Sequence, residues 1–105
     1  MNQYLYQLRP IAPDMLVRGT SAREQAVVEA HFAHLQRLVE QGVVLMAGRT
    51  TTEDENTFGI VILEAESEQL ALQFMEADPA VAQGVMRAQL FPYRTAVWSE
   101  RGPRS

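Results

Sequence analysis

The feature that most constrains this chain is a helix whose start, apolar face and end are all legible. Ser21-Ala22-Arg23-Glu24 has the capping-box form, in which a Ser side chain and a Glu three residues on satisfy each other's free backbone N–H groups. Val27, Val28, His31, Leu35, Leu38 and Val39 then recur at helical spacing, and Gly42 stands where a helix end favours positive φ. The spacing predicts an amphipathic helix over Ser21 to Gln41. His31 falls within its apolar stripe. A titratable side chain in that position is costly unless it is partnered or opens into a cleft, so His31 is the first functional candidate.

The other elements follow from shorter signals. Gln3 to Arg9 reads as a strand stopped by Pro10, which has no N–H to donate. Ile11 to Thr20 reads as a long loop, of a length that often serves as a lid or rim. Val43 to Ala47, short and apolar, reads as a central strand, and Gly48 to Asn56 as a polar hairpin loop. Thr57 to Ala65 is apolar at nearly every position, as a strand buried on both faces, or on one face with an oligomer contact on the other, would be. Ser67 can cap a second helix running to Ala77, with Leu70, Phe74 and Met75 on its buried side. Asp78-Pro79 ends that helix, and Pro79 suits the first position of a short third one ending near Gly84. Val85 to Trp98 reads as a long strand bent at Pro92, a residue that fits an edge or a bulge.

Strand, helix, strand, strand, helix, strand is the split βαβ pattern of the ferredoxin-like α+β sandwich. Two helices would cover one face of a four-stranded antiparallel sheet, and the bare face predicts a homodimer formed sheet to sheet. Residues 1–98 are expected to form a single domain, with 99–105 a flexible tail.

Composition then narrows the partners. The net charge is −4 and the nine basic residues, all arginines, are scattered. Nothing in that pattern would hold nucleic acid or an anionic membrane. With no cysteine in the chain, disulfides, thiol catalysis and Cys-based zinc sites are excluded. There is no apolar run long enough to span a membrane and no signal-peptide pattern, so a cytoplasmic protein is expected.

Several motifs in order, His31-Phe32-Ala33-His34-Leu35, Gly42, Leu45-Met46-Ala47-Gly48, then Ala77-Asp78-Pro79-Ala80-Val81 and Gly84, resemble the YciI-like (YCII-related) family. The resemblance runs from about Tyr4 to Trp98. It implies a dimeric α+β barrel of ferredoxin-like protomers, and a His–Asp pair in a cleft that falls here on His31 and Asp78. The chain departs from the family pattern in two places. Val28 and Glu29 stand where the family often has Arg-Pro, and Arg49 stands where it often has Pro.

Each candidate has a functional and a structural role open to it. His31 suits general acid/base chemistry, since free imidazole titrates near about 6.5; it could equally be a core-edge ring bonded to a backbone carbonyl. Asp78 could orient that ring, or cap the helix at Pro79, or both. His34 begins a His-x-x-His pair but no further metal ligand follows at suitable spacing, so a rim histidine is expected, with no metal and no cofactor. Arg49 and Arg9 fall at strand ends and could bind a substrate carboxylate. Arg49 ranks first because it follows Gly48; a solvated arginine, or a salt bridge to Glu53 or Asp54, is the alternative. Tyr4 and Tyr6 would pack or line a cavity, and Trp98 would pack at the dimer contact or its rim. No Ser or Cys nucleophile motif is present, which disfavours covalent acyl transfer. The reading is an acid/base enzyme on a small-molecule ligand, anionic ones included, by elimination, isomerisation or hydrolysis. The alternative is a noncatalytic dimer that binds a small molecule.

Overall fold

The structure, a computed structural model, describes residues 1–12 and 21–104. The elements are β1 (Asn2–Pro10), α1 (Ala22–Glu40), β2 (Val44–Arg49), β3 (Gly59–Ala65), α2 (Glu68–Ala77), α3 (Pro79–Ala82) and β4 (Met86–Tyr93). The lid or rim loop expected over Ile11 to Thr20 lies outside the described residues from position 13 on.

The local signals act as their chemistry dictates. Ser21 Oγ accepts from Glu24 N–H while Glu24 Oε1 accepts from Ser21 N–H, completing the capping box of α1. Gly42 has φ +77° and donates to Val39 O, and Val43 N–H donates to Leu38 O, a Schellman-type ending. Ser67 caps α2 through Leu70 N–H.

The strands form one antiparallel sheet in the order β2-β3-β1-β4. This is the ferredoxin-like α+β arrangement. Alternation along β1 turns Tyr4, Tyr6 and Leu8 into the core, where they meet Leu35 and Leu38 of α1 and Ala71 and Met75 of α2. Gln3, Leu5, Gln7 and Arg9 point to the opposite face, as do their cross-strand neighbours Ile60, Ile62, Phe91 and Tyr93.

Four sequence expectations need correction. β2 is an edge strand, not a central one, and Leu45 and Met46 are partly exposed; a short apolar run reads the same with one neighbour or two. β3 begins at Gly59 rather than Thr57; Thr57 is held in the turn by its hydroxyl, which donates to Thr52 O. β4 ends at Tyr93, because its partner β1 runs out there, Gln3 facing Tyr93. The chain leaves the ladder and Thr95 bonds Gln3 Oε1 through both its N–H and its hydroxyl, each at 2.8 Å. Trp98 is therefore outside the strand and 59% exposed. In α2, Ala71 rather than Leu70 is buried. Pro92 does lie on an edge strand, opposite Tyr4. No helix among the described residues is long and apolar enough to cross a membrane.

Candidate active site

The stripe on α1 is wider than the sheet can cover. Leu35 and Leu38 are buried, but Phe32 is 62% exposed and Val39 51%. With Val28 they form one wall of a cleft of about 640 Å³, within the range of small-molecule sites. The opposite wall is the end of the sheet, where Leu8, Ala47, Arg49, Gly59 and Val61 share the helix-facing side. Gly59 keeps that floor low: a Cβ there would sit 3.2 Å from Gly48 O.

His31 opens into this cleft from α1 and Asp78 stands behind it. His31 Nδ1 lies 2.6 Å from Asp78 Oδ1, with the His31 side chain 13% exposed and Asp78 wholly buried. Asp78 occupies the joint between α2 and α3 in extended conformation, and its Oδ1 also caps α3 by accepting from Ala80 N–H at 3.0 Å. Its Oδ2 accepts from the Tyr6 hydroxyl at 2.7 Å. The capping and the histidine-facing roles therefore coexist in one side chain.

The charge state follows from these contacts. Burial pushes the Asp78 carboxyl up, but the bonds from His31, Tyr6 and Ala80 outweigh it, and its pKa lies below the ordinary value of 3.8. An ionised carboxylate only accepts. The Nδ1 of His31 must then carry the proton, which leaves Nε2 without one in the neutral ring. No partner for Nε2 occurs among the described residues. Burial, with the Asp78 charge second, raises the Tyr6 phenol far above its usual range, so it stays a donor. His34 is half-buried, with Nε2 buried and unpaired among the described residues, and burial pulls its pKa down. Among those residues there is no group of three or more His, Cys, Asp or Glu placed to hold a metal.

Acid stability follows with a definite sign. Asp78 binds its proton more weakly folded than unfolded, so its contribution is complete above about pH 4 and is lost as pH falls through the lower folded value. Urea unfolding midpoints taken from pH 6 down to pH 2 should decline, and Asp78→Asn should flatten that decline.

The two arginines separate. Arg49 lines the cleft; its Nε donates to Thr50 O at 3.0 Å and it forms no ion pair among the described residues. Arg9 lies on the other face of the sheet with its guanidinium 5.3 Å above the Phe58 ring, because odd positions of β1 turn away from the helices. The structure thus places His31 and Arg49 in the lining of one cleft, with Asp78 behind His31, and Arg9 on the other face of the sheet. Sequence reasoning gave Tyr6 no role beyond filling or lining space. The available signal was a phenol, with a hydroxyl needing a partner, at a core-facing strand position.

A family model described as the YCII-related domain matches residues 7–93. Comparison with curated proteins finds no match. Among solved structures, the chain is similar to 5-chloro-2-hydroxyhydroquinone dehydrochlorinase (TftG) from Burkholderia phenoliruptrix AC1100, in complex with 2,5-dihydroxybenzoquinone, at 22% identity and TM-score 0.64, covering 88% of this chain and 93% of that one. It is also similar to SnoaB, a cofactor-independent oxygenase from Streptomyces nogalater, at 14% identity and TM-score 0.48, covering 92% and 98%. These likenesses are of fold.

Proposed function

This chain belongs to the YCII-related domain family, and from that premise we propose that it is an enzyme acting on a small organic molecule, with His31 as general acid/base and Asp78 as its partner. The observation that carries the reading is the 2.6 Å contact between a cleft-lining imidazole and a carboxylate sealed behind it. The unprotonated Nε2 faces a ligand in the cleft and takes a proton from it. Asp78 stabilises the imidazolium that forms, as a carboxylate does in general-base constellations. In an elimination, the electron pair left on the substrate expels a leaving group and the imidazolium returns its proton to that group or to solvent. In an isomerisation the same proton returns to a different atom of the substrate.

The lining limits what fits. Phe32, Val28, Val39 and Leu8 offer apolar surface, and Arg49 a guanidinium that can bond an acidic oxygen. A flat, largely apolar molecule with one acidic group matches that set. The dehydrochlorinase in the comparison holds 2,5-dihydroxybenzoquinone, a flat ring as well but one that carries four oxygens. The protomer is read as half of a homodimer: Phe91, Tyr93 and Met46 are each partly exposed on the uncovered sheet face or its edge, and a second copy would bury them.

The test begins with thermal shifts from a panel of aromatic acids and their matching amides, since a ligand of the native state stabilises it. Arg49→Gln should weaken binding of the acids about 10- to 100-fold, the worth of charge-assisted bonds, and leave the amides within about twofold. Acids that bind are then assayed for turnover with His31→Asn as control. Ligands bound in the cleft but turned over equally by wild type and His31→Asn would reject the acid/base role.

A further inference from the structure

One buried polar group takes no part in the proton transfer described above. Tyr6 is 1% exposed, and its hydroxyl donates 2.7 Å to Asp78 Oδ2, the oxygen that His31 does not use. Phenylalanine would fill the same space without a hydroxyl to desolvate. Tyr4, one pleat earlier on the same face of β1, makes no such bond among the described residues. The groups around Asp78 are therefore His31 and His34 from α1, Tyr6 from β1 and the Ala80 N–H from α3.

We propose that Tyr6 is a positioning residue acting through Asp78: its hydroxyl takes up part of the carboxylate's charge and so sets how tightly Asp78 holds the proton on His31 Nδ1. The inference rests on the His31–Asp78 reading and adds to it the residue that tunes the pair. A carboxylate showing its full charge to an imidazole holds the imidazolium and slows return of the proton. One that shares its charge with a phenol releases it, which a residue that must first take and then give a proton requires. Burial favours this arrangement, since hydrogen bonds polarise one another more where water does not screen them.

The test reads the Nδ1 proton of His31 directly by NMR in the ligand-free protein. The chain has only two histidines, so a His34→Gln variant completes the assignment. In Tyr6→Phe the Asp78 charge is no longer shared, and the Nδ1 proton should move downfield. Replacement of the chain's three tyrosines by 3-fluorotyrosine leaves the volume nearly intact and makes the phenol a stronger donor, so the same proton should move upfield. Opposite displacements support the proposal, since a purely space-filling Tyr6 would give neither. An unmoved proton, or displacement in the same direction in both proteins, overturns it. Should Tyr6→Phe not fold, the fluorinated protein decides alone: an upfield move supports the proposal and no move overturns it. Asp78→Asn separates the two readings. If it leaves the Nδ1 proton in place, the pair itself fails and the tuning with it; if it moves that proton while the tyrosine changes do not, only the role of Tyr6 falls.

Discussion

Asp78→Ala is expected to destabilise the folded domain by about 3–5 kcal/mol, since three donors lose one acceptor at about 1–3 kcal/mol for each that stays buried. Several losses coincide at that one position. Tyr6 keeps a buried hydroxyl with nothing to donate to, and His31 loses the acceptor of its Nδ1 proton. The Ala80 N–H at the start of α3 loses its cap. Tyr6 and Ala80 are sealed in the core and cannot turn to water, whereas His31 borders the cleft. Against a total of about 5–15 kcal/mol for a domain, such a loss leaves a marginal fold. Urea denaturation checks it: the midpoint should fall sharply with the slope unchanged. A fall of less than about 1 kcal/mol would mean that the three bonds add little beyond what water supplies in the unfolded chain.

His31→Asn should abolish nearly all turnover while sparing the fold. General acid/base catalysis by one side chain contributes about 10²- to 10⁴-fold, and an amide cannot take up a proton near neutrality. Asparagine can still donate toward Asp78, so the carboxylate is not left wholly unpaired. Ligand affinity should stay within a few-fold, because Arg49 and the apolar walls of the cleft are untouched. The combination of lost turnover and retained affinity distinguishes a proton-transfer residue from one that only shapes the pocket.

The sequence made some of this plain and hid the rest, for physical reasons that differ by element. Helix α1 was legible because its signals are local: a capping box, a repeat near every third or fourth residue, and a glycine at positive φ. Strand edges were less so. The end of β4 depends on where β1 ends, and that is a fact about a partner 90 residues away in the ladder between Gln3 and Tyr93. The site divides in the same way. His31 stood out because imidazole in an apolar stripe violates local pattern. Its pairing with Asp78, 47 positions on, came from a family resemblance, and no spacing rule brings the two together. Period-two alternation in β1 already separated Arg9 from Tyr6 and Leu8, but which face would meet the helices depends on packing across the whole sheet. Tyr6 needed both pieces, its inward face and the position of Asp78, before its hydroxyl acquired a role.

Proton transfer in this cleft turns on the tautomer of one ring. It requires that His31 carry its proton on Nδ1, against Asp78, and keep Nε2 bare toward the cleft. Ring ¹⁵N shifts of His31 in the ligand-free protein, recorded where the imidazole is neutral, measure this directly. The expected spectrum has a protonated Nδ1 and a pyridine-like Nε2. A wild-type ring protonated on Nε2, with Nδ1 pyridine-like, would contradict it.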